Sequence, residues 1–177
     1  MMRIATRADA EGLASAARTF FRDTFGGANT AEDMEAYLSD SLSDAQVSAE
    51  LSEPDSRVWL AMGAGGEIAG YVHVRQNEPA GETLSWASRP VEIARLYADR
   101  RWHGQGVGAA LMEKGIETAL DWGADVLWLG VWERNARAIA FYEKQGFEVV
   151  GEQEFMLGMD RQRDLVMARR LTGDQRP

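Results

Sequence analysis

Arg101-Trp102-His103-Gly104-Gln105-Gly106-Val107-Gly108-Ala109 is the stretch whose reading decides the fold, because its glycines stand between a β-rich run and a helical pattern. Alternate glycines let backbone N–H groups turn toward one point, and the helix that follows adds its positive end. Such a loop favours a phosphate or pyrophosphate. Taken alone, the same spacing also serves a plain strand-to-helix turn. The stretch satisfies a dinucleotide fingerprint, Gly104-x-Gly106-x-x-Ala109, whose acidic partner belongs about 20 residues on, at the end of the next strand. Asp125 has that spacing but opens its strand, where it cannot reach a ribose above the carboxyl edge. A dinucleotide fold also begins with this unit, whereas here residues 1–100 precede it. A P-loop fails as well, since no Gly-Lys-Ser or Gly-Lys-Thr follows.

Working outward from the loop, Val91 to Ala98 reads as the strand that enters it. Val58 to Met62 and Ile68 to Arg75, separated by Gly-Ala-Gly-Gly-Glu, read as a hairpin, and residues 76–89, with Pro79 and two serines, as a connecting loop. Upstream, Leu13, Ala17, Phe20, Phe21 and Phe25 recur at helical spacing after Thr6 and Asp9, which predicts a helix over about 7–25. Gly26 and Gly27 end it. Asn29 or Thr30 caps a second helix carrying Met34, Tyr37, Leu38 and Leu42, and Ala45 to Leu51 adds another turn or two. Downstream, Leu111, Met112, Ile116, Ala119 and Leu120 share a helix face. Asp125 to Trp132 is almost continuously apolar, as a central strand covered on both faces would be. Asn135 to Lys144 forms a short helix stopped by Gly146, after which Phe147 to Val150 and Asp164 to Arg170 return as antiparallel strands.

Composition narrows the chemistry. The 177 residues, 45% apolar, suffice for one domain that buries roughly 70% of its unfolded surface. With 19 Lys and Arg against 28 Asp and Glu, the net charge of −9 repels phosphate backbones and anionic lipid, so neither nucleic acid nor a membrane is an expected partner. The absence of cysteine excludes disulfides, thiolate zinc sites and a cysteine nucleophile. His73 and His103 have no ligand spacing between them, so no metal is expected. The amino terminus lacks a signal-peptide core and no run approaches the ~18 apolar residues of a spanning helix, which makes a cytoplasmic location the expectation.

Arg101-x-x-Gly104-x-Gly106 after Glu92-Ile-Ala-Arg-Leu-Tyr-Ala resembles the acyl-CoA-binding motif of the GCN5-related N-acetyltransferases (GNAT). A second block agrees: Trp128-Leu-Gly-Val-Trp-Glu-Arg-Asn135-Ala-Arg-Ala138-Ile-Ala-Phe-Tyr142-Glu-Lys-Gln-Gly146-Phe147 resembles that family's next strand and helix. Phe25-Gly-Gly-Ala-Asn29, Glu32-Asp33, Tyr37-Leu38 and the ending Glu154-Phe155-x-Leu-Gly-x-Asp-x-Gln162-x-Asp164-Leu-Val-Met look most like the PaiA-type polyamine acetyltransferases. The resemblance implies a single α/β (α+β) domain over residues 1–171, with a mixed, mostly antiparallel sheet and helices on both faces. Residues 172–177 are then a polar tail.

It also implies direct acetyl transfer from acetyl-CoA to a primary amine, polyamine-like, without a covalent enzyme intermediate. Leu96, Tyr97, Ala98, Arg101, His103, Gly104, Gln105, Gly106, Val107, Gly108 and Asn135 would hold the coenzyme. Tyr142 would face its sulfur as general acid. A backbone N–H on Leu96-Tyr97-Ala98 would receive the acetyl oxygen. An alkylammonium of pKa near 10.4 must lose a proton before it attacks, which costs about 4.6 kcal/mol at pH 7. Glu92, entering the strand before the loop, is the first candidate base and Glu133 the second, although a salt bridge to Arg75 or Arg95 would equally explain Glu92. Trp86, Trp102, Trp128 and Trp132 with Tyr97 offer walls for a substrate slot, or simply core. A protein N-terminal or lysine acetyltransferase and a silent acyl-CoA-binding regulatory module remain alternatives. The sheet edges and the 76–89 loop leave a homodimer open.

Overall fold

The computed structural model describes residues 1–77, 79 and 82–171, so the tail at 172–177 lies outside the described residues. The helices are α1 (Ala10–Phe25), α2 (Ala31–Ser41), α3 (Asp44–Glu50), α4 (Val107–Asp121) and α5 (Ala136–Lys144). The strands are β1 (Met2–Ile4), β2 (Ser56–Met62), β3 (Ile68–Arg75), β4 (Pro90–Ala98), β5 (Val126–Trp132), β6 (Glu148–Leu157) and β7 (Asp160–Arg170). They form one seven-stranded sheet in the order β1-β2-β3-β4-β5-β7-β6, in which only β4 and β5 run parallel.

Side-chain alternation along the strands builds two cores. One face carries Val72, Val74, Ile93, Leu127 and Leu129 against Leu111 and Met112 of α4 and Tyr142 of α5. The other carries Val58, Leu60 and Tyr71 against Leu13, Ala17, Phe20 and Phe21 of α1 and Leu38 of α2. The mixed sheet with helices on both faces is the expected architecture. Where α1 to α3 do not reach, the connecting loop covers the sheet: Leu84 packs on Trp128 and Val166, and Trp128 Nε1 donates to Asn77 O at 2.8 Å. Asp125 belongs to this packing, since it accepts the Ser88 and Arg89 amides at 2.6 and 2.8 Å.

Local details differ from the sequence expectation in three places. Residues 7–9 form a 3-10 turn ahead of α1, with Asp9 bridging the Thr6 amide and the Arg3 guanidinium. Strand β1 adds an edge that three half-exposed residues do not announce. The return from α5 is a ten-residue strand and an eleven-residue strand joined at Gly158 and Met159, much longer than the apolar runs at 147–150 and 164–170 suggest. Their charged outer halves hide the period of two.

One irregularity positions the site. The parallel ladder between β4 and β5 runs from Pro90/Val126 to Glu92/Trp128 and stops there, although β4 continues to Ala98 and β5 to Trp132. Just past that point β4 bulges: His73 pairs with Arg95 and Val74 with Ile93, which leaves Ala94 as the extra residue. A bulge bends its strand and raises its twist. The two strands therefore diverge, and β4 beyond Glu92 has no strand partner on that edge.

Candidate active site

The loop between β4 and α4 sits at the open end of this divergence. Gly104 and Gly106 have φ of 76° and 82°, a left-handed backbone that favours glycine, and a Cβ on either would meet open space. Glycine is needed at both for conformation, not for room. Gly106 is also the N-cap of α4, whose first backbone bond is Ala110 N–H to Gly106 O. Among the described residues, the amides of Gly104, Gly106, Val107, Gly108 and Ala109 meet no hydrogen-bond acceptor. Five such donors at a helix N-terminus fit a diphosphate, through both the N–H groups and the helix dipole.

The surrounding residues brace the loop. Asp99 accepts the Arg101 amide at 2.8 Å and its guanidinium at 2.6 Å, and Gln105 Nε2 donates to Arg101 O at 2.8 Å. Most of the Arg101 side chain is exposed. His103 reaches out with its ring. Arg137 on α5 can only donate, so its 2.8 Å bond makes His103 Nδ1 an acceptor; Nε2 then carries the hydrogen and donates to Ala98 O at 2.9 Å. The imidazole thus ties the end of β4 to α5 across the mouth of the divergence.

Helix α5 supplies the opposite wall. Asn135 is its N-cap, with Oδ1 accepting the Ala138 amide at 3.2 Å, which leaves the Nδ2 donors for a ligand. Tyr142 is buried, packed edge-on to Phe141 and Phe147 at centroid distances of 5.4 and 6.0 Å. Burial pushes its phenol up to about 12, so it holds its proton at neutral pH. Gly108 of α4 faces Phe141, where a Cβ would make an ordinary contact 3.7 Å from the ring. Tyr97 turns to the other face, where burial and the neighbouring Tyr37, Tyr71 and Tyr142 phenols raise its ionisation well above the ordinary range.

The structure thus gathers Leu96 to Ala98, the loop, Asn135 and Tyr142 at one mouth. Glu92 is the exception. It stands where β4 still pairs with Trp128, six residues before Ala98, or about 20 Å along the strand. Its Oε2 accepts Arg75 Nε at 2.5 Å and Asn77 Nδ2 at 2.8 Å. Glu133, at the far end of β5, is bound to Arg163 at 2.6 Å. Arg95 is held by Glu50, at 2.6 and 3.0 Å, beneath the second core. His73 lies beside that pair, buried, with Nε2 on Ser56 and its ionisation pushed down to about 4, chiefly by burial. The tryptophans do not form one wall. Trp128 is core, Trp86 lies under the Arg170 guanidinium, and Trp132 meets Phe25 edge-on at 6.1 Å.

A second wall was not assembled by the sequence reading. The α1–α2 connection clasps the β6–β7 hairpin: Gln162 Nε2 donates to Asn29 Oδ1 at 2.6 Å, and the Met159 amide to Asp33 Oδ1 at 2.7 Å. Beside it a cleft of about 630 Å³ opens over the ends of β5, β6 and β7, lined by Trp132, Glu133, Gln153 and Gln162 among others. No helix of the described residues is long and apolar enough to cross a membrane, and no group of three His, Cys, Asp or Glu is arranged there to hold a metal ion.

Comparison with known proteins agrees with this arrangement. Residues 15–147 match the model of the acetyltransferase (GNAT) family. An uncharacterized N-acetyltransferase of Mycobacterium tuberculosis is 36% identical over 163 residues, covering 92% of this chain and 98% of that one. Streptothricin acetyltransferase of Streptomyces lavendulae is 32% identical over 118 residues, 67% of this chain and 58% of that one. The crystal structure of PaiA N-acetyltransferase from Thermoplasma acidophilum in complex with coenzyme A superposes with a TM-score of 0.76 over 96% of this chain and 98% of that chain, at 20% identity. The chain belongs to the GNAT family and is an acetyl-CoA-dependent N-acetyltransferase.

Proposed function

We propose that this enzyme acetylates a small primary amine of polyamine type. The observation that carries the reading is the juxtaposition of five unengaged amides at residues 104–109, a proton-bearing phenol at Tyr142, and a polar cleft at the end of the diverging β5, whose lining sets Glu133, Glu152, Glu154 and Asp160 beside Arg134, Arg161 and Arg163. Acetyl-CoA supplies the acetyl group as an activated thioester. The glycine loop and the start of α4 hold its diphosphate, and Asn135 has free donors for the pantetheine arm. The unpaired edge of β4 at Leu96 to Ala98 offers N–H groups to the acetyl oxygen as it gains charge, the kind of donor whose removal costs about 3 to 4 kcal/mol in acyl transfer. Tyr142 keeps its proton until sulfur needs it. Glu92 is paired with Arg75 and stands about 20 Å along β4 from Ala98, away from the acetyl group.

The name of one similar protein supports a small-molecule acceptor: streptothricin acetyltransferase is named for the compound it acetylates. Thiol release from acetyl-CoA, measured with spermidine, lysine-bearing peptides and amino acids, ranks the acceptors: spermidine should give the largest kcat/KM. Faster turnover of a peptide would replace the reading with a protein acetyltransferase. In the same assay Tyr142→Phe should lower kcat by about 30-fold, at the low end of acid–base effects, and leave CoA affinity within about twofold. An unchanged kcat would remove Tyr142 from the acid role.

A further inference from the structure

On the acceptor side the carboxylate of one largely buried residue has no protein partner, its oxygens still meeting solvent. Asp164 of β7 keeps only 8% of its surface exposed, and among the described residues neither a hydrogen-bond donor nor a cation meets it. Its cross-strand neighbours are Trp132 on β5 and Gln153 on β6, both of which line the 630 Å³ cleft. Gly130 makes room for it. A Cβ at that position would stand 3.2 Å from Asp164 Oδ2 and 2.7 Å from Gln153 Nε2, so both side chains lean over β5 where a larger residue would stand. The nearby arginines do not serve it: Arg161 and Arg163 line the same cleft but are held by Glu154, Glu133 and Glu152.

A buried carboxylate without a counterion is costly. The geometry points to Asp164 as the group that receives the acceptor's ammonium beside Trp132 and accepts its proton. This rests on the reading of the chain as a small-amine acetyltransferase and supplies that reading with its base. Asp160 lies on the same face four residues along, about 13 Å away, and offers a second carboxylate to a second ammonium. The acceptor class is therefore an extended alkyl diamine or polyamine rather than a monoamine.

The step balances as follows. The ammonium gives one proton to Asp164, and the freed nitrogen pair forms the C–N bond at the acetyl carbon as the C–S bond breaks with its electrons passing to sulfur. The second proton lost by nitrogen ends on that sulfur, Tyr142 giving one proton and recovering another. Asp164 then releases its proton to water. Burial, which pushes the Asp164 carboxyl up to about 6, strengthens it as an acceptor while leaving it ionised at neutral pH. Of the titratable groups on neighbouring elements, Tyr37 of α2 feels Asp164 together with Arg95 of β4 and Glu50 of α3, and Asp160 stands on the same strand. Glu133 at the end of β5 is occupied by Arg163.

The test compares Asp164→Asn with wild type in the acetylation of spermidine and n-butylamine from about pH 5 to 9, with CoA affinity read by calorimetry. The variant should lose at least ~100-fold in kcat/KM for both amines and lose the acid limb near pH 6, with CoA affinity within about twofold. Wild type should show a KM for spermidine at least about tenfold below that for n-butylamine. An acid limb that persists in Asp164→Asn, or a loss under about threefold, overturns the assignment and leaves the enzyme an amine acetyltransferase. A wild type that binds CoA yet acetylates no amine overturns the functional reading and the assignment together. If the variant binds no CoA, the wild-type profile decides: kcat/KM for spermidine that is flat from about pH 5 to 7 overturns the assignment.

Discussion

The two walls of the site are made of different material. On the proposed reading the coenzyme wall is main chain: amides of residues 104–109, the bare edge of β4 and the N-cap of α5, with Tyr142 as its side-chain reagent. The proposed acceptor wall is side chain: Trp132, Gln153, Gln162 and Asp164, brought together from three strands and clasped by Asn29 and Asp33. A wall of backbone is constrained by conformation and tolerates little change at its glycines. A wall of side chains can be altered residue by residue. The family model ends at residue 147, before β6 and β7 begin, so Gln153, Gln162 and Asp164 lie beyond the matched residues.

The sharpest way to break this contrast is through stability. Asp164 ionises with more difficulty folded than unfolded, so it costs the fold free energy at neutral pH. With its carboxyl at about 6 against an ordinary 3.8, the cost is about 3 kcal/mol above pH 6, fades as pH falls from 6 to 3.8 and is gone below that. Asp164→Asn should therefore raise Tm by about 6 to 10 °C near pH 7.5 and by little near pH 4, measured by calorimetry. His73 has the opposite sign. Its folded ionisation lies at about 4 against 6.5, so its contribution is present above pH 6.5 and lost as pH falls toward 4. In wild type the two slopes oppose each other, and the variant, keeping only that of His73, should lose stability more steeply in acid. A variant no more stable than wild type at pH 7.5 would mean that the acceptor wall carries no such cost.

The coenzyme wall is sharpened by Gly106→Val. A β-branched residue at φ of 82° must flip the backbone and turn the α4 amides away, and CoA affinity should fall by about 100-fold in calorimetry. A loss under about threefold would mean that these amides do not hold the ligand. Arg101→Ala should have the smallest effect, less than about threefold on the same affinity, because its exposed guanidinium is already held by Asp99. A larger loss would move an exposed side chain into the coenzyme wall.

The same division explains what could be read in advance. Glycine spacing, the apolar run at 125–132 and the Asn135 to Tyr142 helix report local conformation, and local conformation builds the coenzyme wall. Asp164 appeared only within a family-like ending, because its meaning depends on Trp132, Gln153 and Gly130, which no periodicity links. The outer halves of β6 and β7 are an exposed, charged ribbon whose stability comes from pairing with each other, so their extent was hidden. Glu92 was legible as a strand-end carboxylate, and Arg75 as its partner, but the bulge at Ala94 that separates the closed end from the mouth leaves no mark in the residue types.

The tip of the β6–β7 hairpin reaches α2 with almost nothing to spare: a Cβ at Gly158 would stand 2.6 Å from Asp33 Cα, and φ there is 60°. That contact behaves as a doorstop. Lengthening the turn by a residue, or enlarging Gly158, would prop the ribbon away from the helix and widen the entrance, whereas the coenzyme's seat would feel nothing. On the proposed reading, the girth of the amine admitted is thus written into the length of one turn.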